Sequence, residues 1–124
     1  MQRITPVNIY IIGQIKGLPI HEAKSNFHRI EVRLRELGFE PINPMVHLGI
    51  PDHWDYEQSR PHNIEALSKC EGVYIQSNWR KSEGSKDEIK QSMLQGKNLY
   101  YAESKGLEML EEQSRFLFER EAQS

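Results

Sequence analysis

The fold is decided by the stretch at residues 72–96, GVYIQSNWRKSEGSKDEIKQSMLQG. Its apolar start, Gly72–Ile75, predicts a buried strand. A polar turn around Ser82, Gly84 and Ser85 follows, and then a helix is expected over residues 85–95, ending at Gly96. In open α/β sheets the ligand crevice lies at such strand-to-helix junctions. The stretch therefore predicts an α/β fold with a ligand site at this junction.

The polar groups of this junction suit a negatively charged or hydroxyl-bearing ligand. Backbone N–H groups at a helix start favour an anion, and Ser82 and Ser85 add hydroxyl donors. Glu88 is expected in the first helical turn, where the helix dipole favours the ionised carboxylate that a nucleophile requires. A structural interpretation competes, because residues 85–88 also fit the Ser-x-x-Glu capping box. These residues alone leave both interpretations open.

Size and composition narrow the class of protein. A chain of 124 residues is expected to form one domain over residues 1–124, and a net charge of −2 gives no reason to expect bulk nucleic-acid binding. The single cysteine, Cys70, cannot form an internal disulfide, which fits a cytoplasmic location. No apolar run reaches membrane-spanning length, so no membrane partner is expected. The histidines lack metal-binding spacing, and neither a metal nor another cofactor is predicted.

The first strand and its loop form a second candidate binding element. Asn8–Ile12 is an apolar, β-branched run that predicts a fully buried strand. The loop after it contains Gly13 and Gly17, which allow tight backbone conformations near a ligand. Lys16 could meet a phosphate as a point charge. The alternative is an ordinary turn with a solvated lysine.

The clearest helix follows this loop, with Ala23, Phe27, Ile30, Leu34 and Leu37 on one face and Gly38 at its end. Glu40–Ile42 predicts a short strand, and its proline indicates an edge or a strand end. Residues 45–61 are expected to be irregular, and residues 62–70 are expected to form a short helix. Trp54, Tyr56 and Trp79 are candidates for stacking on a nucleobase, although aromatic side chains in a loop also pack it onto the body.

The last strand and helix complete the predicted fold. Asn98–Tyr101 predicts a strand, and residues 105–121 predict an amphipathic helix with Leu107, Leu110 and Leu117 in phase. Phe116 and Phe118 flank that stripe, which predicts a homodimer or a larger homo-oligomer. Because strands alternate with helices, we expect a three-layer α/β/α sandwich with a four- or five-stranded parallel sheet, flavodoxin- or Rossmann-like. Its buried strand residues should include Ile9, Ile11, Val73 and Ile75.

Several short motifs along the chain then carry a resemblance. They are Tyr10 to Gly13, Ile15-Lys16-Gly17, Asn43-Pro44, Asn63-Ile64 with Leu67 and Cys70, Asn78-Trp79, Ser82-x-Gly84, Glu88 and Gly96. In this order and spacing the chain resembles the nucleoside 2-deoxyribosyltransferase-like superfamily, in particular its small phage and bacterial members of uncharacterised function. The resemblance spans residues 8–101 and implies a flavodoxin-like fold with its site at the carboxyl ends of the strands.

The resemblance also implies an activity and roles for individual residues. Members with known activity cleave or exchange the N-glycosidic bond of 2′-deoxynucleosides or their 5′-monophosphates. Glu88 falls on the nucleophilic glutamate, and Tyr10 falls on a tyrosine beside it. Gly13, Ser82 and Gly84 fall on sugar- or phosphate-binding loops. Together with the loop analysis, the predicted substrate- or phosphate-binding residues are Gly13, Gln14, Lys16, Gly17, Ser82, Gly84 and Ser85.

Two positions depart from the pattern of that superfamily. Asn63 stands where the superfamily has a catalytic aspartate, and Gln14 replaces the usual small residue of the first loop. Asparagine can hydrogen-bond a sugar hydroxyl, but it cannot transfer a catalytic proton. Asp55, Glu83 or a loop histidine could protonate the leaving base instead. Two hypotheses remain: an N-glycosidase or deoxyribosyltransferase acting on a nucleoside or nucleotide, and a nucleotide-binding module without catalysis.

Overall fold

A computed structural model describes the backbone of residues 7–123 and the side chains of residues 7–117. The elements are β1 (Asn8–Ile12), α1 (Ile20–Glu36), β2 (Glu40–Ile42), α2 (Tyr56–Ser68), β3 (Gly72–Ile75), α3 (Glu83–Leu94), β4 (Asn98–Tyr101) and α4 (Gly106–Gln123). Short 3-10 turns at Trp79–Lys81 and Ala102–Ser104 follow β3 and β4. The expected flanking position of Phe118 lies outside the described side chains.

The four strands form one parallel sheet in the order β2-β1-β3-β4. The prediction of a flavodoxin-like parallel sheet is therefore confirmed, and β2 lies at an edge, as its proline indicated. From β1 the chain continues to β2 on one side of it, and then to β3 on the other side. The direction in which successive strands are added to the sheet therefore reverses between β1 and β3. Ligands of open α/β sheets bind at the carboxyl ends of the strands beside such a reversal.

Alternating side chains of the strands supply two apolar cores, one on each face of the sheet. Ile9 and Ile11 pack with Phe27 and Leu34 of α1 and with Leu110 of α4. On the other face lies a second cluster, formed by Tyr10, Ile12, Leu67, Cys70, Val73, Ile75 and Ile89. Helices α1 and α4 therefore cover one face and α2 and α3 the other, which gives the expected three layers. The predicted burial of Ile9, Ile11, Val73 and Ile75 is confirmed.

The start of α2 differs from the prediction. The helix begins at Tyr56, within the segment that we expected to be irregular. Asp55 caps it: its carboxylate accepts from the Gln58 N–H, and the Gln58 side chain accepts from the Asp55 N–H in a capping box. Pro61 lies inside the helix, where it removes a single backbone donor, and it does not end the helix.

The apolar face of α3 is narrow. Ile89 is buried, but Met93 is exposed, and the small Ser92 is the buried residue one turn after Glu88. None of the helices in the described part of the chain is long and apolar enough to cross a bilayer.

Candidate functional site

Hydrogen bonds join the loops after β1 and β3 at the point where the strand order reverses. The Gln76 N–H donates to the Ile12 carbonyl over 2.9 Å, and the Gln14 N–H donates to the Asn78 side-chain oxygen over 3.0 Å. The Gln76 amide lies against Gly13, where a Cβ atom would collide with Gln76 Nε2. The sequence analysis did not single out Gln76, although its place directly after a buried strand was a usable signal.

Three polar side chains from three elements meet beside this junction. Glu88 Oε2 accepts a hydrogen bond from the Tyr10 hydroxyl over 3.3 Å and another from the Asn63 amide nitrogen over 3.2 Å. Tyr10 comes from β1, Asn63 from α2 and Glu88 from α3. All three are buried. Residues separated by up to 78 positions thus form one buried polar cluster, the Glu88 cluster (Tyr10, Asn63 and Glu88).

Burial, more than the helix dipole, sets the charge state of Glu88. The pKa of this carboxyl is raised to about 8, chiefly by the loss of water on burial and less by the nearby Asp87 carboxylate, against the lowering effect of the Asn63 and Tyr10 hydrogen bonds. The same burial, with Glu88 beside it, raises the pKa of Tyr10. The direction of this pKa shift is opposite to the expectation that the helix dipole holds Glu88 ionised, because burial favours the protonated carboxyl.

The start of α3 explains why the dipole acts weakly on Glu88. Ser82 is the N-cap of α3, and its hydroxyl accepts from the Ser85 N–H over 3.0 Å. Glu88 is then the sixth helical residue and lies beyond the first turn, where the dipole effect is concentrated. The capping-box interpretation of residues 85–88 is wrong for the same reason. The carboxylate of Glu88 is directed instead to Tyr10 and Asn63.

A contact between α2 and α3 closes the site from outside. The Tyr56 hydroxyl donates to Asp87 Oδ2 over 2.7 Å, and Arg60 donates to both oxygens of the same carboxylate, over 2.7 Å and 3.2 Å. The Tyr56 ring covers Gly84, where a Cβ atom would lie 2.8 Å from the ring. We call Tyr56, Arg60 and Asp87 the α2–α3 latch.

The remaining residues of the first loop lie farther out. The Gln14 side chain donates to the Lys16 carbonyl over 3.1 Å and so closes the loop on itself. The Lys16 side chain is exposed, and Gly17 has a φ of 94°, which favours glycine. Lys16 and Gly17 therefore lie on the exposed part of the loop, whereas Gly13 and Gln14 are buried.

The aromatic candidates have partners of their own. The rings of Trp54 and His62 lie 5.6 Å apart between centroids. Trp79 packs against Tyr101 at 6.0 Å and donates from its ring nitrogen to Glu103 over 2.7 Å. None of these contacts involves the Glu88 cluster. Of the three aromatic candidates, Tyr56 contacts the start of α3, through Gly84 and Asp87.

Three candidate proton donors, one of them a histidine of the loop, have other partners in the structure. Asp55 caps α2, and Glu83 is exposed and pairs with Lys86 over 3.4 Å. His47 Nδ1 accepts from the Asn43 N–H over 2.9 Å. Among the described residues there is no group of three or more histidine, cysteine, aspartate or glutamate side chains that could hold a metal ion.

Comparison with known proteins places this geometry in a family and a fold. A family model described as a domain of unknown function, DUF4406, matches residues 7–101. No curated protein matches the sequence. Among solved structures, a 2-deoxyribosyltransferase from Bacillus psychrosaccharolyticus is similar with a TM-score of 0.57 and 18% identity, over 77% of this chain and 71% of that one.

Two further structures are similar at the same level. A CMP N-glycosidase from Clostridium botulinum has a TM-score of 0.53 and 16% identity, over 76% of this chain and 66% of that one. A 2-deoxyribosyltransferase from Leishmania mexicana has a TM-score of 0.60 and 17% identity, over 77% and 63%. This chain therefore spans less than two thirds of these last two structures. Together the matches show a nucleoside 2-deoxyribosyltransferase-like fold.

Proposed function

This chain belongs to the DUF4406 family, whose description names no activity, and we propose from its site that it cleaves or exchanges the N-glycosidic bond of a nucleoside or nucleoside 5′-monophosphate. The observation that carries the proposal is the buried Glu88 cluster beside the reversal of strand order. Solved structures of the same fold that are named as deoxyribosyltransferases and a CMP N-glycosidase support it.

In this proposal Glu88 is the nucleophile. Its deprotonated carboxylate forms a bond to the anomeric carbon while the bond from that carbon to the base nitrogen breaks, and the electron pair leaves with the base. In hydrolysis, water supplies the proton that the base takes and the oxygen that finally replaces Glu88 on the sugar. In the transfer reaction the nitrogen of a second base replaces Glu88 on the sugar, and the proton that this nitrogen loses goes to the first base. Tyr10 and Asn63 orient the carboxylate through the hydrogen bonds to Oε2.

The loops around the cluster are suited to hold the rest of the ligand. Gly13, Ser82, Gly84 and Ser85 would face the sugar or phosphate, because glycine allows close backbone approach and a helix start favours an anion. The Gln76 amide at Gly13 and the Tyr56 ring over Gly84 would have to move aside for this contact. Lys16 and Gly17 would meet the phosphate at the rim, and Gln14 holds their loop closed through the Lys16 carbonyl. Stacking of a base on Trp54, Tyr56 or Trp79 stays a prediction.

Nucleotide binding without turnover is the second candidate function, and Asn63 favours it. The Asn63 side chain, which α2 directs to Glu88, is an amide, and an amide orients a carboxylate but transfers no proton. A pocket that favours the protonated carboxyl of Glu88 also suits binding more than nucleophilic attack. In this case the protein would sense or sequester a nucleotide.

Incubation with a panel of nucleosides, deoxynucleosides and their 5′-monophosphates tests the proposal, with release of free base as the readout. We expect base release by the wild type and none by Glu88→Gln, which keeps the size of the side chain but not its carboxylate. Glu83→Gln is the matched control, because it removes an exposed carboxylate from the same helix. Base release that survives in Glu88→Gln contradicts the nucleophile, and nucleotide binding by a wild type that releases no base favours the binding module.

We also propose that the protein is a homodimer or larger. Met93 and Leu94 at the end of α3 are 60% and 70% exposed, and Met109 of α4 is also exposed, which leaves apolar surface for a second copy. Sedimentation at micromolar concentration tests this, and a strict monomer would contradict it. The cytoplasmic location stays a prediction.

A further inference from the structure

Two buried polar atoms beside Glu88 have no hydrogen-bond partner among the described residues. They are Asn63 Oδ1 and Ser85 Oγ, on side chains that are 5% and 2% exposed. Buried polar groups in native proteins are nearly always paired, and an unpaired one destabilises the fold. Two unpaired atoms on residues that flank Glu88, one on α2 and one on α3, therefore indicate a ligand group that pairs with them.

The positions of both atoms relative to Glu88 are fixed by the fold. The amide nitrogen of Asn63 donates to Glu88 Oε2, which also accepts from the Tyr10 hydroxyl. The amide oxygen of Asn63 is therefore the atom without a partner in the described part of the chain. Ser85 precedes Glu88 by three residues on α3, and side chains with this spacing share one face of a helix. Asn63 Oδ1 can only accept a hydrogen bond, whereas the Ser85 hydroxyl can accept one and also donate one. This combination is complementary to an alcohol, which both donates and accepts.

We propose that the ligand carries a ribose, and that its 2′-hydroxyl donates to Asn63 Oδ1 and accepts from Ser85 Oγ. The inference rests on the proposed function, in which Glu88 attacks the anomeric carbon. The 2′-carbon is bonded directly to that carbon, so its substituent is held next to the attacking carboxylate and to the groups around it. A 2′-deoxyribose presents only C–H bonds there and leaves both atoms unpaired. The substrate class is then a ribonucleoside or its 5′-monophosphate.

Matched pairs of ligands test this inference, because each pair differs only in the 2′-hydroxyl. Binding of AMP, GMP, CMP and UMP and of their 2′-deoxy counterparts is measured by calorimetry with the wild type, Asn63→Ala and Ser85→Ala. We expect at least one ribonucleotide to bind about tenfold or more tightly than its deoxy partner, as for a ligand that pairs a buried polar group. The ratio should fall towards one in both variants. General damage to the pocket affects both members of a pair and cancels in the ratio.

The outcomes separate this inference from the proposed function. A ribose preference that collapses in the variants supports the inference even if no base is released, and in that case only the proposed catalysis fails. Base release without a ribose preference, or a preference that survives in both variants, overturns the inference alone. If Asn63 binds the nucleobase instead, Asn63→Ala should lower the affinity for both members of each pair equally, and this result also overturns the inference. No binding of any nucleotide overturns both. Thermal unfolding checks that each variant folds. If Asn63→Ala does not fold, Ser85→Ala alone provides the test.

Discussion

The amide nitrogen of Asn63 donates to Glu88 Oε2 over 3.2 Å and so joins α2 to α3 inside the protein. An aspartate in the same place would put two carboxyl groups within hydrogen-bonding distance of each other. Two such groups do not both ionise, so they share a proton and titrate as a pair. This relationship gives the most direct test of what Asn63 does.

Asn63→Asp should raise the rate of base release if the pocket lacks only a group that transfers protons. The shared proton becomes available to the leaving base, and one carboxylate stays ionised for attack. Rates for both proteins, measured across pH with the best substrate of the panel, check this. Asn98→Asp, an exposed change at the amino end of β4, is the control and should leave the rate unchanged. Nucleotide binding without base release by both wild type and Asn63→Asp would instead support the binding module.

The stability of the protein should fall as the pH rises towards 8. The carboxyl of Glu88 has a pKa of about 8 in the folded protein, against about 4.3 in the unfolded chain. Between these values the folded state holds a proton that the unfolded state has lost. The contribution of Glu88 to the free energy of unfolding is therefore complete below the pKa of the unfolded chain. Above that pH it decreases by about 1.4 kcal/mol per pH unit, until Glu88 also deprotonates in the folded state. Chemical denaturation at several pH values should show this slope, which Glu88→Gln removes and Glu83→Gln keeps.

Base release should increase with pH in the same range, because attack needs the Glu88 carboxylate. We expect kcat/KM to rise about tenfold per pH unit below about 8 and to level off above it. Asp87→Asn should move the profile to lower pH, since the Asp87 carboxylate raises the pKa of Glu88. A rate that is flat between pH 6 and 9 would contradict the assignment of Glu88 as the titrating nucleophile.

Breaking the α2–α3 latch should loosen the start of α2 without unfolding the protein. Arg60 is partly exposed, so Arg60→Gln is expected to cost at most about 1 kcal/mol. Amide hydrogens in the first turns of α2 should nevertheless exchange faster, because Asp87, which also accepts from the Tyr56 hydroxyl, loses its hydrogen bonds from Arg60. Lys69→Gln is the matched control, since it removes the exposed pair with Glu65 near the other end of α2. Equal exchange in the two variants would show that the latch does not hold the helix.

Gly13→Ala should destabilise the protein through its contact with Gln76. The new methyl group meets the Gln76 amide, and overpacking of this kind costs about 1–3 kcal/mol. Gln76→Ala should relieve the collision, so the double variant should be more stable than the sum of the single changes by at least about 0.5 kcal/mol. Thermal or denaturant unfolding of the four proteins measures this coupling. Strict additivity would show that the two side chains do not compete for space.

The sheet and the first helix could be predicted because they are encoded by local periodicity. Apolar runs at Asn8–Ile12 and Gly72–Ile75 and the stripe that includes Phe27 and Leu34 each indicate one element. The start of α2 is also encoded locally, by the capping box of Asp55 and Gln58, but Pro61 makes the same segment resemble an irregular one. A proline removes one donor from a helix, and tertiary contacts such as that of Tyr56 with Asp87 can support the turn before it.

The chemical state of the site could be predicted only in part. The order of the motifs named Tyr10, Asn63 and Glu88 together, and in the structure Tyr10 and Asn63 both donate to Glu88, although the roles of all three stay proposals. The charge of Glu88 could not be read from the sequence, because it depends on how closely α2 packs over α3 and excludes water. The capping of α3 by Ser82 likewise depended on where the helix begins, which sequence patterns place only to within a few residues.

The α2–α3 latch has a consequence for the rate at which any ligand reaches Glu88. Because Glu88 is only 6% exposed and the Tyr56 ring lies over Gly84, we expect a ligand to reach Glu88 only after the first turn of α2 moves away. The observed association rate should then level off at high ligand concentration, at the rate of opening. The apparent affinity is weaker than the intrinsic one by the fraction of open molecules. A side chain that never touches the ligand, Arg60, would thus set both how fast and how tightly the ligand binds.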